Sequence, residues 1–164
     1  MSAGAERPIG DRPAQVVFAL LVLACFAAFF ITQRLKHTPT AVQSFRLTPF
    51  FSPAPRGRIK AERISFKLAS ADEVTVSIVR GGTVVATLVR DLPVARYKAL
   101  SLRWNGRRGS ARGYALVRAA DGRVALLADT AGAPAPAGEY HVRVSLRKQG
   151  RTVESPRGFT LVAR

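Results

Sequence analysis

The chain has 164 residues, enough for one domain of ordinary size. Its single cysteine excludes an internal disulfide, and its two histidines, His37 and His141, are too far apart in sequence to suggest a metal cluster. The formal net charge of +16 resides wholly in residues 34–164, and a domain so basic is drawn to polyanions: anionic envelope polymers, acidic lipid head groups or nucleic acid. A composition rich in arginine and alanine also follows from biased coding DNA, so the charge alone does not select a partner.

The first element is apolar. Every residue from Val16 to Ile31 is hydrophobic, and residues 13–33 carry no charge. A helix of that length rises roughly 31 Å, about one hydrocarbon core. A core helix of a soluble protein would keep a polar stripe, and this segment has none. A cleaved secretory signal has a shorter apolar run and a small-residue cleavage site. Here Phe29, Phe30 and Ile31 lead directly into Thr32-Gln33-Arg34. A lipoprotein signal would follow Cys25 with a polar tether, but Phe26-Ala27-Ala28-Phe29-Phe30 follows. The reading is a retained transmembrane helix over 13–33, with Val16, Leu20, Leu23, Phe26, Phe30 and Ile31 facing lipid and residues 1–12 as a short tail. Arg7 and Arg12 on one side and Arg34, Lys36 and Arg46 on the other leave its orientation undecided.

Pro39 and Pro49 interrupt the next stretch, which predicts an extended tether over 34–50. Phe45, Leu47, Phe50 and Phe51 are too apolar for a free linker, so its second half is expected to lie against the domain at 51–164. There the pattern has period two. Ile64, Phe66 and Leu68 alternate with Ser65 and Lys67, and Val74, Val76 and Ile78 alternate with Thr75 and Ser77. Gly81-Gly82 predicts a tight hairpin into Thr83–Arg90. Leu100, Leu102 and Trp104 form a run closed by Asn105-Gly106. Tyr114–Ala119 and Arg123–Ala128 around Asp121-Gly122 read as an inserted hairpin, followed by an Ala/Pro-rich loop, within 113–133 and just beyond. Tyr140, Val142, Val144 and Leu146 face inward, opposite His141, Arg143, Ser145 and Arg147. After Gln149-Gly150, a last strand carries Phe159, Leu161 and Ala163 inward. The expected fold is an all-β antiparallel sandwich of about seven strands plus a hairpin, preceded by one transmembrane α-helix.

No catalytic set emerges, and no cofactor or metal is expected. Nucleophile, base and orienting acid must meet in space, and His141 alternates toward solvent. Asp72-Glu73 read as solvated acids in a turn before a strand, and Asp121 and Asp129 as hairpin and strand-end acids. Lys67, Arg103, Arg143 and Arg147 fall on the solvent sides of their strands. If those strands were neighbours, they would form one basic docking face.

The order of these features resembles the immunoglobulin-like domain of the flagellar hook-capping protein, the FlgD type. The resemblance covers residues 50–163. It is carried by Phe51-Ser52-Pro53, Ile64–Leu68, Val74–Ile78, Val85–Leu88, Leu102-Arg103-Trp104-Asn105-Gly106-Arg107 and Pro136-Ala137-Gly138-Glu139-Tyr140. Such domains usually have Asp where Asn105 stands, and they lack the inserted hairpin. The resemblance implies an Ig-like, fibronectin-III-like sandwich with Trp104 and Tyr140 in the core and Asn105, Gly106 and Gly138 in turns. The Thr32-Gln33-Arg34-Leu35-Lys36 helix end is similar to that of single-pass actinobacterial envelope proteins, which implies an N-in, C-out placement. The expected function is a non-enzymatic, membrane-anchored binding, spacer or assembly module of the bacterial envelope. Its partners would be the bilayer through 13–33 and an anionic polymer, lipid head groups or a protein. The alternative is a cytoplasmic basic domain, tethered to the membrane, that binds nucleic acid or anionic lipid. The strands lack the exposed interleaved aromatics of a base-stacking surface.

Overall fold

A computed structural model of the chain describes residues 11–36, 40–54, 57–118, 122 and 124–162. The chain divides into two compact units, the second comprising Thr40–Arg164. In the first, α1 spans Asp11–Lys36. Within it, Pro13–Thr32 is long and apolar enough to cross a membrane, and 0% of that stretch is buried. Val16, Leu20, Leu23, Phe26, Phe30 and Ile31 are all exposed, as is Cys25. The one hydroxyl of the stretch is satisfied locally, since Thr32 Oγ1 donates to the carbonyls of Ala28 and Phe29 at 2.5 and 3.0 Å. Back-bonding of this kind lets a threonine sit in an apolar surrounding without a stranded donor.

The second unit is built from strands in two sheets. In chain order they are β1 (Val42–Leu47), β2 (Phe50–Phe51), β3 (Glu62–Leu68), β4 (Asp72–Arg80), β5 (Thr83–Val94) and β6 (Ala99–Trp104), then β7 (Gly109–Ser110), β8 (Tyr114–Arg118), β9 (Val124–Ala128), β10 (Gly138–Leu146), β11 (Arg151–Glu154) and β12 (Phe159–Leu161). One sheet has the order β1-β3-β6-β9-β8. The other runs β2-β12-β10-β4-β5-β7, with β11 also on β10. Pairing is antiparallel except for β2 with β12, β5 with β7 and β6 with β9.

Alternation decides which faces meet. Ile64, Phe66 and Leu68 of β3, and Leu102 and Trp104 of β6, are buried together with Val74, Val76 and Ile78 of β4 and Tyr140, Val142, Val144 and Leu146 of β10. These side chains from both sheets form one core cluster. Its largest members are aromatic. The Trp104 ring lies 5.7 Å from Phe51, 5.5 Å from Tyr140 and 6.0 Å from Phe159, each edge to face. Such pairs contribute about 0.5–1.5 kcal/mol each beyond their buried area. The Gly81-Gly82 hairpin forms with φ of 52° and 80°, the positive values that a two-residue turn between twisted strands demands. The β8–β9 hairpin forms too, and attaches to β6 through parallel pairing of β9. Asp121, Arg123 and Ala163 lie outside the described residues.

Four features differ from the sequence expectation. The second unit begins at Thr40, ahead of the expected residue 51: α1 continues to Lys36, and the second half of the 34–50 stretch, expected to lie against the domain, does so as β1, which pairs with β3 from Val42↔Leu68 to Leu47↔Ile64. The apolar Val42, Phe45 and Leu47 are what drive that strand onto the core. The strand segments number twelve among the described residues, several of them only two or three residues long. The last strand is split. β11 pairs with the C-terminal half of β10 and β12 with its N-terminal half. Between them Ser155 turns inward, its Oγ accepting from Val142 N at 3.0 Å and donating to Arg157 O at 2.9 Å. Finally, the Ala/Pro-rich segment is no free loop. It runs beside the turn after Trp104, with Arg108 N donating to Ala133 O and Ala135 N to Gly106 O.

Candidate functional site

The four basic residues expected on one face are divided between the sheets. Arg143 lies on β10 and Arg147 in the turn just after it, and Lys67 and Arg103 lie on β3 and β6. Alternation puts each of them outward, but outward from different sheets. Arg143 and Arg147 are also neutralised. Arg143 bonds Glu154 at 2.9 Å, and Arg147 meets Glu73 at 3.3 Å and Asp91 at 3.7 Å. A single docking stripe through all four does not exist.

The outer face of the five-stranded sheet is different. Arg63 and Arg103 stand directly opposite each other in the β3–β6 register. Like charges in that position repel. Arg46 of β1 joins them along a groove of about 210 Å³, which Thr48, Ser65 and Ser101 also line. A second hollow, of about 270 Å³, continues past Ser65 and Ser101 to Lys67. Among the described residues no carboxylate lines either hollow. Among the described residues none of these four cations forms an ion pair. Arg103 Nε is shut off from solvent and has no hydrogen-bond partner among the described residues. Sequence reasoning found Lys67 and Arg103 but missed Arg46 and Arg63. Arg63 had a signal, since it precedes the inward Ile64 by one residue.

Arg46 reaches the groove through a backbone irregularity. Gln43 pairs with Lys67 and Arg46 with Ser65, so β1 carries one extra residue. Ser44 sits there with φ of 54°. A bulge of this kind re-aims the side chains that follow it. It lets Val42 and Phe45 both face the core, Phe45 stacking on Phe66 at 5.4 Å, and turns Arg46 outward.

The other singled-out residues are structural. Trp104 is 0% exposed and its Nε1 donates to Arg107 O at 2.8 Å. Asn105 Oδ1 accepts from Arg107 N at 3.0 Å and from Thr130 Oγ1 at 2.7 Å, which closes the turn and ties down the segment after β9. Gly106 lies under Phe51, where an added Cβ would stand 3.4 Å from the ring. Gly138 adopts φ of 143°, and an added Cβ would meet the Arg80 guanidinium at 2.9 Å. That guanidinium in turn sits 5.7 Å from the centre of the Tyr140 ring. The Tyr140 hydroxyl donates to Pro136 O.

Two carboxyls are buried. Asp72 is not the solvated acid expected in a turn. It is 2% exposed, and it accepts from Glu73 N, Lys148 N, Gln149 N and Gln149 Nε2 at 2.7–3.2 Å. Burial by itself would raise its pKa, but these donors outweigh burial and hold it below the ordinary carboxylate value. It therefore clamps the β10–β11 turn to the start of β4. Glu62 is 0% exposed on the core side of β3. Burial pushes its pKa up to about 8, against the opposing hydrogen bond from Thr48 N at 2.7 Å. His141 is half-buried, with Nδ1 3.3 Å from Ser155 O and Nε2 3.8 Å from Glu139 Oε1. Among the described residues no three His, Cys, Asp or Glu side chains are grouped to hold a metal ion. What the arrangement offers chemically is cationic hydrogen-bond donation from one sheet face.

Comparison with protein-family models, with curated proteins and with solved structures found no match for this chain.

Proposed function

We propose that this protein is a non-enzymatic, single-pass membrane-anchored module of the bacterial envelope, whose β unit is an Ig-like sandwich serving as a binding, spacer or assembly domain outside the cytoplasm. The observation that carries the reading is α1. Twenty consecutive residues, Pro13–Thr32, are apolar enough to cross a bilayer, and they bury nothing against protein. Exposed apolar surface of that extent is stable in lipid and costly in water.

The Ig-like reading is supported by two contacts of the core. A strand tryptophan, Trp104, fills the space between the sheets. Tyr140, near the start of β10, bonds back to a carbonyl four residues upstream, as the tyrosine corner of such sandwiches does. The FlgD-type resemblance rests on the same residues. Outward placement follows the similarity of the Thr32–Lys36 helix end to actinobacterial envelope anchors. The step from fold to binding or spacer role is analogy.

Protease added to wall-stripped intact cells tests the placement. The proposal predicts loss of the β unit while a cytosolic marker survives. Survival of both refutes the outward orientation and favours the cytoplasmic alternative.

A further inference from the structure

The Arg46, Arg63 and Arg103 groove gathers three guanidinium groups on one sheet face. Two arginines are opposed in register with no carboxylate between them. The Nε of one is desolvated and, among the described residues, unpartnered. A buried donor on a charged group costs free energy until an acceptor reaches it. The third arginine is brought in by a bulge at a non-glycine residue with positive φ. Backbone strain of that kind persists where the surrounding structure over-determines it, and it clusters at binding sites.

We propose that this groove is a head-group site for an anionic phospholipid of the membrane that holds α1, with the phosphodiester oxygens accepting from Arg46, Arg63 and Arg103. Guanidinium groups donate in a planar fork that matches phosphate oxygens and makes charge-assisted hydrogen bonds. Ser65 and Ser101 in the groove supply hydroxyls for the rest of the head group. Lys67 extends the positive surface in the adjoining hollow. Lipid is favoured over nucleic acid because no exposed aromatic lines either hollow. It is favoured over a soluble acidic partner because of the short covalent connection. Only residues 37–41 separate α1 from Val42, a span from Lys36 of at most ~22 Å when fully extended. Tethering by so short a link holds β1 at a high effective concentration of head groups. The inference rests on the anchor reading but not on orientation, since both leaflets present head groups.

The test uses the full-length protein in bilayer discs, with the Arg103 Nε–H resonance as readout. Discs of phosphatidylcholine alone are compared with discs that also contain phosphatidylglycerol. The resonance shifts in the anionic discs only. Arg63→Gln and Arg46→Gln each abolish the shift, whereas Arg147→Gln, which removes the same charge from the turn after β10, leaves it intact. Arg46 and Arg63 are exposed, so both variants keep the core amide spectrum. If Arg63→Gln disturbs that spectrum, Arg46→Gln decides. No shift in anionic discs overturns the proposal. So does equal loss in Arg147→Gln, which would mean diffuse charge. A shift produced in phosphatidylcholine discs by inorganic phosphate, or by a polyglutamate peptide, also overturns it in favour of a free-anion or an acidic-protein site. Protein that never enters the discs refutes the anchor instead, so the two failures are distinguishable.

Discussion

Replacing Glu62 by Gln changes how stability depends on pH. In the folded protein Glu62 is fully buried and its pKa is about 8, against an ordinary 4.5. Unfolding exposes it to water, where it ionises at the ordinary value. Between those two values the folded state holds a proton that the unfolded state has released. The contribution of this group is therefore fully present below pH 4.5 and is lost as pH rises through about 8. One proton corresponds to about 1.4 kcal/mol per pH unit, or about 5 kcal/mol across the window. That is a large fraction of the ~5–15 kcal/mol that holds an ordinary domain together. Gln is nearly isosteric, keeps an oxygen for Thr48 N and cannot ionise. Urea unfolding of residues 40–164 at unit steps from pH 5 to 9, for wild type and Glu62→Gln, isolates the effect because the other carboxyls cancel in the difference. The wild type should lose stability relative to the variant by about one proton's worth per pH unit up to about 8, and then level off. Parallel pH profiles would refute the reasoning and show that Glu62 is solvated or paired in the folded state.

Asp72→Asn should remove stability at neutral pH and little in acid. Asp72 has a lowered pKa, so its contribution is present above the ordinary carboxylate value and is lost as pH falls through the folded one. At neutral pH the variant should lose about 1–3 kcal/mol in denaturant titration and should show a flatter acid limb. Trp104→Ala empties the centre of the aromatic cluster and should cost about 3–5 kcal/mol. Trp104→Phe should cost less, since the rings remain and only the bond to Arg107 O and part of the volume are lost. Ser44→Val places a β-branched side chain at φ of 54° and should cost about 1–2 kcal/mol by thermal unfolding, although Ser44 is exposed. A neutral result would mean that the bulge relaxes without it.

Much of the fold was legible because alternation is a local property. The inward sets on β3, β4 and β10, the Gly81-Gly82 turn and the β8–β9 hairpin follow from residues close in sequence. What was not legible depends on partners distant in sequence. Alternation assigns Lys67 and Arg143 to outward faces but does not say that β3 and β10 belong to different sheets. Asp72 reads as a turn acid until the β10–β11 turn, with Lys148 and Gln149, closes over it. Glu62 breaks the rule outright. It continues the inward register of Ile64, Phe66 and Leu68, so a period-two reading that admits only apolar residues to the inner face stops short of it. The bulge at Ser44 has no glycine or proline to announce it. Arg46, the groove residue that depends on it, was therefore counted only as a charge flanking the anchor.

The central claim is that an apolar helix holds a separately folded β unit in a membrane. Alkaline carbonate extraction of membranes that carry either the full chain or residues 40–164 tests it most directly. The full chain should remain in the pellet, and the shorter chain should be released as a folded, cooperatively unfolding domain. Release of the full chain, or retention of residues 40–164, would contradict the account.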